Sequence, residues 1–415
     1  MKPVTLAIVG AGSRGTTYSR FAEAFPMRAR VVAVAEPRDA YRERLVSAHN
    51  LPAENVFTDW RQLAAVSRLA DAVIIATQDR MHAEPAKAFA DLGYDILLEK
   101  PMAPDAEGCH QIVEAVERND VLFAVCHVLR YTRYTQKLKA LIDAGTIGDL
   151  VGMQRLEPVG FWHMAHSFVR GHWHREDTSG PMLLTKSCHD LDWIQYIMGA
   201  PCRAVSSFGS LKHFRPEEAP PGAGKRCVTC PVEPTCPYSA KRIYLEALRR
   251  GHRGWPLDVL TPDPTRESIL QALEEGPYGR CVYDLDNDVV DHQVVSMAFE
   301  GGRTATFTMM AFTKMMQRKT RIFGTRGTLT GDGRFIEHYD FLTDTSSRID
   351  TEPVEEASLE GHGGGDFGLM DAFVRAVAEQ EPAWILSGPQ ESLDSHLLVF
   401  AAEQARREGK VVALQ

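Results

Sequence analysis

The residues from Val4 to Glu36 constrain this chain more than any other stretch. Thr5-Leu6-Ala7-Ile8-Val9 is a short apolar run without alternation, the pattern of a parallel strand buried on both faces. Gly10-Ala11-Gly12-Ser13-Arg14-Gly15 follows directly, and Thr16 to Phe25 carries a helical pattern. The glycines have separate roles: Gly10 permits a tight turn, Gly12 lets the backbone approach a pyrophosphate, and Gly15 lets the helix pack close on the strand. The pyrophosphate would rest on free N–H groups at the helix N-terminus, beside Ser13 and Arg14. A second apolar run, Val31 to Ala35, ends in Glu36, twenty-four residues after Gly12. An acid there accepts hydrogen bonds from the ribose hydroxyls of an adenosine and repels a 2′-phosphate. The spacing predicts a dinucleotide, NAD in preference to NADP, although Arg38 close by is of the kind that accommodates a 2′-phosphate.

Strand and helix patterns then alternate with short connections, as in a doubly wound α/β domain. Ala72 to Ala76 is a strand whose carboxyl-end loop runs from Thr77 to His82. Asp95 to Leu98 is another, ending in Glu99-Lys100-Pro101, and Val121 to Val125 is the next. Open parallel sheets place ligands at such loops, so Thr77, His82 and Glu99 join the predicted cofactor contacts. Lys100 lies between an apolar strand and a proline that fixes the turn, which predicts a partly buried ammonium. Burial and a nearby nicotinamide cation both favour the neutral amine, a useful state for proton transfer. The alternative for Lys100 is a surface pair with Glu99. The predicted Rossmann domain covers residues 1–126.

Residues 127–415 are predicted to form an α+β domain with a large open, mostly antiparallel sheet, because several strand patterns follow one another without helices. Between Phe161 and Arg175, four histidines stand beside Phe161, Trp162, Phe168 and Trp173. Aromatic planes suit the C–H faces of sugars, and imidazole or guanidinium groups suit hydroxyls and anions. His163, Arg170 and Trp173 are therefore candidate substrate contacts, with Arg130 and Lys186; an ordinary surface loop is the alternative. Ser179 to Asp192 leads into a helix and contains His189-Asp190-Leu191-Asp192. The cluster Met309, Met310, Phe312, Met315 and Met316 suits either a subunit interface or plain core. Gly361 to Asp366 precedes a helix, with Asp366 as the expected N-cap.

On the glycine turn, Thr77 to His82, Glu99-Lys100-Pro101 and His189 to Asp192, the chain resembles the Gfo/Idh/MocA oxidoreductases over essentially its whole length. The resemblance implies a nicotinamide cofactor, a polyol, sugar or sugar-derivative substrate, and catalytic roles for Lys100 and His189. The family pattern carries an aspartate four residues before the histidine, and this chain has Thr185 there, followed by Lys186. Without that carboxylate the usual proton relay is incomplete, which shifts the expected proton acceptor to Lys100 and leaves Lys186 to meet an anionic substrate group. Two enzymatic readings follow: an NAD-dependent dehydrogenase of a sugar, inositol or sugar-acid hydroxyl, and a glycosidase or lyase that oxidises transiently and retains its NAD. A nicotinamide-binding sensor is a third, at odds with the retained Lys100 and His189.

About residues 212–281 the pattern breaks into a proline-rich insertion. Cys227-x-x-Cys230, Cys236 and Cys281 could complete a tetrahedral thiolate site, and an insertion with little core of its own has reason to be stapled, so structural zinc is expected there. Four reduced thiols acting as small hydrophobes are the alternative. The net charge of −9 argues against nucleic acid or an anionic membrane as partner. No stretch approaches the roughly 20 apolar residues of a membrane span, and none reads as a signal peptide. Eight cysteines in 415 residues do not make a disulfide scaffold, so a reducing cytoplasm is expected. A homodimer or homotetramer is expected from the resemblance, with the Met309 to Met316 cluster as its interface.

Overall fold

The computed structural model describes residues 2–352 and 362–414. Six parallel strands, β1 (Val4–Val9), β2 (Ala29–Ala35), β3 (Val56–Phe57), β4 (Ala72–Ile75), β5 (Asp95–Leu98) and β6 (Phe123–Val125), lie in the order β3-β2-β1-β4-β5-β6. The order reverses between β1 and β4, which opens a ligand crevice at their carboxyl ends. Successive residues of β1 serve different layers. Leu6 and Ile8 pack with Tyr18, Phe21 and Phe373, whereas Ala7 and Val9 pack with Phe89, Ile112 and Leu98. Burial on both faces is why the strand has no polar alternation.

A second sheet holds nine strands: β7 (Leu150–Pro158), β8 (Cys202–Ser210), β9 (His292–Phe299), β10 (Thr304–Met310), β11 (Lys319–Gly324), β12 (Gly327–Gly331), β13 (Phe335–Asp340), β14 (Thr345–Asp350) and β15 (Val412–Ala413). Their order is β14-β13-β12-β11-β7-β10-β9-β8-β15, antiparallel except for the β7–β10 pair. In β9 the alternation is strict: Val295, Met297 and Phe299 face the core, and Val294, Ser296 and Ala298 face out. The inner face buries Trp193 and Ile194 of the helix Cys188–Met198 and Leu398 and Val399 of the helix Pro389–Glu408. That packing anchors the helix that begins at Cys188, and with it His189.

Several expectations change. The sequence pattern does not announce β13 and β14. In the insertion the helix Ala240–Arg249 is joined by a second, Arg266–Glu275. These helices bury Tyr244, Leu257, Ile269 and Leu273 together, so the insertion has a core of its own. Met309 is core, while Phe312, Met315 and Met316 are exposed. Gly364, not Asp366, is the N-cap of the helix Gly365–Glu379, and Gly361 lies outside the described residues. No described helix is long and apolar enough to cross a membrane.

Candidate active site

The glycine turn has the shape a pyrophosphate requires. Gly10 adopts φ +91°, and a Cβ on it would stand 2.5 Å from the carbonyl oxygen of Ala76. A Cβ on Gly15 would stand 1.9 Å from the carbonyl oxygen of Gly10. Gly12 differs: its nearest neighbour would be Arg38 Nη2 at 3.4 Å, so the space above it is open to a ligand. The helix Ser13–Ala24 starts there without a side-chain cap, leaving its first N–H groups free. Ser13 is exposed at this opening. A phosphate cradle bounded by Gly10, Gly12 and Gly15 fits a dinucleotide.

Glu36 is buried at the end of β2. Its Oε2 accepts the Ala11 N–H at 2.8 Å, and its Oε1 accepts from Arg38 N at 3.0 Å and Nε at 2.7 Å. Burial alone would raise its pKa, but these hydrogen bonds outweigh it and hold the carboxyl below its ordinary value. Arg38 also lies over the Tyr41 ring at 4.0 Å. Replacing Glu36 by alanine is expected to weaken NAD binding by roughly 1–2 kcal/mol, the scale of hydrogen bonds to a charged group. It also releases Arg38 for a 2′-phosphate. Titration with NAD and NADP checks this, and an unchanged preference would remove Glu36 from the ribose.

Lys100 is not paired with Glu99. The Glu99 carboxylate takes Arg14 Nε at 2.6 Å, Tyr18 Oη at 2.7 Å and the Lys100 backbone N–H at 2.8 Å. The Lys100 ammonium instead crosses to the second domain and donates to the carbonyl oxygen of Thr185 at 2.7 Å. Four residues further on, His189 is buried with its Nδ1 unpartnered among the described residues. Burial, with Lys100 and His362 adding to it, holds the imidazole well below its ordinary pKa. The His362 ring stands 5.7 Å from that of His189, and its Nδ1 lies 3.2 Å from Asp366 Oδ2.

A charged cluster lines the second-domain wall. Lys186 Nζ lies 3.2 Å from Glu157, Arg318 Nε lies 2.6 Å from Glu157 and 3.0 Å from Asp190, and Arg155 Nε lies 2.8 Å from Asp190. Three cations face two carboxylates, which leaves one positive charge in excess. Burial lowers the Lys186 pKa against the opposing pull of Glu157. Burial and Lys186 together hold His163 well below its ordinary value, so it is a neutral imidazole beside this cluster. Trp173 is half-buried and donates from Nε1 to Asp79 Oδ2 at 2.9 Å, tying the aromatic segment to the loop after β4. That segment includes a π-helical stretch, Met164–Arg170, a form that recurs at functional sites.

Other candidates serve the framework. Arg14 bridges Glu99 and Asp366, the latter at 2.5 Å, and so locks the glycine turn to the helix Gly365–Glu379. Arg14 and His362 hold the Asp366 carboxyl well below the usual carboxylate range despite its burial. His82 is fully buried, its ring nitrogens 2.7 Å and 3.2 Å from the carbonyl oxygens of Pro101 and Thr77. It joins two loops of the cofactor domain and presents no free edge. The Thr77 hydroxyl donates to the Met81 carbonyl at 3.2 Å within its own loop. Arg130 grips Asp192 at 2.7 and 2.8 Å, and Arg170 faces the insertion, donating to the carbonyl oxygens of Arg280 and Tyr238, each at 2.8 Å. Both guanidiniums are buried. Sequence reading had missed Glu157, Arg318 and His127, which reach this region from separate loops and strand ends, whereas His362 belongs to the glycine loop before the helix Gly365–Glu379 that the sequence offered as a border of the site.

The expected zinc site is corrected. Cys227, Cys230, Cys236 and Cys281 line one cavity of about 20 Å³. Among the described residues, however, no group of three or more His, Cys, Asp or Glu side chains is placed to hold a metal ion. The Arg170 guanidinium stands 3.5 Å from Cys227 Sγ, and burial pushes the Cys236 and Cys281 thiols up. The insertion's own core also removes the need for a staple. Elemental analysis of purified protein is expected to find no stoichiometric zinc; one zinc per chain would restore the site.

A dinucleotide cradle at the switch point of a Rossmann sheet, facing a lysine and a histidine across a domain cleft, defines a two-domain nicotinamide-dependent oxidoreductase. Sequence comparison gives the family. A profile described as the oxidoreductase family's NAD-binding Rossmann fold matches residues 4–127, and one described as its C-terminal alpha/beta domain matches residues 139–414. The chain belongs to the Gfo/Idh/MocA oxidoreductase family. It is 24% identical over 319 residues to the putative oxidoreductase YteT of Bacillus subtilis, covering 72% of this chain and 71% of that one. It is 28% identical over 221 residues to the 2,7-anhydro-N-acetylneuraminate hydratase of Mediterraneibacter gnavus, covering 51% of this chain and 54% of that one. The solved structure of levoglucosan dehydrogenase with NADH and L-sorbose superposes with a TM-score of 0.73 at 18% identity, over 100% of both chains, a likeness of fold.

Proposed function

We propose that the protein oxidises a hydroxyl group of a sugar, inositol or sugar acid with NAD. The observation that carries this reading is the 2.7 Å contact of Lys100 with the Thr185 carbonyl. It brings the lysine of the cofactor domain to the segment that carries His189, so both groups meet one small molecule in the cleft. NAD, when bound in the glycine cradle, supplies the hydride acceptor. Lys100 and His189 would form the acid–base pair on the reacting oxygen, one from each side. Lys186 and Arg318, with the excess positive charge around them, favour a substrate carrying a carboxylate. His163 would offer a neutral ring to its hydroxyls, and Trp173 an aromatic plane.

A second reading has specific support: a redox-neutral elimination in which the reduced cofactor returns its hydride. Thr185 replaces the usual acid, and two relatives are named as hydratases. Incubation with sugars, inositols and sugar acids, read by nicotinamide absorbance and product mass, tests both. Net reduction supports the dehydrogenase, and turnover without net change supports the elimination. Product formed at full rate after removal of all NAD would sink both.

Eight free cysteines support a reducing cytoplasm. The outer face of β9, β10 and β8, with Phe208 and Val294 exposed, supports a homodimer or homotetramer closed over that sheet. Light scattering that found a monomer would remove the oligomer.

A further inference from the structure

Behind His189 lies a second histidine that the roles above leave unused. His127 follows β6, is fully buried, and among the described residues has no hydrogen-bond partner at either ring nitrogen. Its Nε2 lies 3.6 Å from Asp192 Oδ1, and its ring stands edge-on to that of His189 at 6.0 Å between centroids. On its other side is His396, at 5.5 Å, both of whose nitrogens are engaged: Nδ1 with the Ser392 carbonyl at 2.7 Å and Nε2 with the Met102 N–H at 3.0 Å. His189 Nδ1 is likewise buried without a partner. A buried polar atom left unsatisfied costs about 1–3 kcal/mol. His127 and His189 present three such atoms to one interior, where each can satisfy the other. Thr185 does not serve His189: its hydroxyl turns back to the Pro181 carbonyl at 3.3 Å.

We propose that His127, oriented by Asp192, is the positioning residue for His189 and takes the place of the carboxylate that Thr185 lacks. The inference rests on the reading of Lys100 and His189 as the acid–base pair. A bare nitrogen 3.6 Å from a carboxylate oxygen is repelled and an N–H is attracted, so His127 carries its proton on Nε2. Asp192 is itself fixed by Arg130 on both oxygens. Nδ1 of His127 is then an acceptor, and it matches an N–H on His189 Nδ1 through a small ring rotation or one bridging water. This leaves His189 with a bare Nε2. The hydroxyl O–H bond breaks, an N–H bond forms at Nε2, and the electron pair stays on oxygen. The acceptor role then falls to His189, with Lys100 donating to the same oxygen, the reverse of the order expected from sequence.

The groups facing His127 agree with a neutral ring. Lys100 and Glu99 come from the end of β5, Arg130 from its own segment, Asp192 and His189 from the helix Cys188–Met198, and His396 from the last helix. Burial, then Arg130 and Lys100, hold His127 well below its ordinary pKa, with Glu99 opposing.

Nitrogen NMR of protein labelled with ¹⁵N-histidine reads the tautomer of His189 without any substrate; the loss of its signals in His189→Gln identifies them. The expected result is an Nδ1–H tautomer in the wild type and in His127→Asn, whose side-chain carbonyl accepts the same bond. A shift towards Nε2–H is expected in His127→Phe. With a substrate in hand, His127→Phe should lower kcat on the order of tenfold or more at nearly constant KM, and His127→Asn should recover much of the loss. A wild-type His189 found as Nε2–H overturns the proposal, even if His127→Phe fails to fold. So does an identical tautomer in wild type and His127→Phe. The expected tautomers in a protein that turns over no sugar, polyol or sugar acid would uphold the positioning of His189 and overturn the functional reading instead.

Discussion

Lys100→Met is expected to lower turnover by about 10²–10⁴-fold, the range in which loss of an acid–base group falls, while NAD binding stays nearly intact. The separation follows from where the lysine points. Its backbone N–H holds Glu99, which holds Arg14 and Tyr18 beside the glycine turn, and methionine keeps that N–H. Its ammonium reaches across the cleft to the Thr185 carbonyl and has no partner in the cofactor domain. Removing the ammonium therefore takes a proton-transfer group from the substrate side and leaves the dinucleotide cradle as it was. Turnover and NAD titration on the same preparation check this. An active Lys100→Met protein with an unchanged pH profile would take Lys100 out of the chemistry.

The second large effect is at Gly15. A Cβ there would sit 1.9 Å from the Gly10 carbonyl oxygen, a backbone atom that cannot move independently. Gly15→Ala is expected to destabilise the fold by at least about 1–3 kcal/mol, the usual scale of overpacking, and to raise the Kd for NAD more than about tenfold. Gly12→Ala separates the two consequences. Its Cβ would meet Arg38 Nη2 at 3.4 Å and no backbone, so the fold should hold while the approach of a pyrophosphate is blocked. Thermal melts with and without NAD read both. A Gly15→Ala protein as stable as wild type would contradict the close packing of helix on strand.

The first domain was legible because its signals are local. The run Thr5 to Val9, the glycine spacing and Glu36 each describe neighbours in the chain, and the structure puts them at the switch point of a parallel sheet. The charged residues near those motifs were harder. Arg14 reads as a phosphate contact from its place in the turn, yet its partner is Asp366, 352 residues on. Arg130 and Arg170 read as substrate cations, and both are buried on partners that sequence does not reveal. Arg318 and Glu157 belong to no motif, since they lie just before β11 and at the end of β7, neighbouring strands whose antiparallel register brings them together. Thr185 was a different kind of signal. The absent carboxylate was visible in sequence; His127, which stands beside His189 in its place, was visible only in three dimensions. The zinc expectation failed for a comparable reason: the cysteine spacing was read correctly, but the core formed by Tyr244, Leu257, Ile269 and Leu273 arises from helices whose packing the proline-rich sequence obscured.

On the proposed function, a hydride leaves a substrate carbon for NAD in the cleft between Lys100 and His189. A single-turnover experiment with excess protein, NAD and a carbohydrate or sugar-acid substrate, followed by nicotinamide absorbance and by product mass, tests it most directly. Reduced nicotinamide is expected to appear together with a product two hydrogens lighter than the substrate, and neither is expected in Lys100→Met on the same timescale. Substrate consumed with no reduced nicotinamide at any time would contradict it.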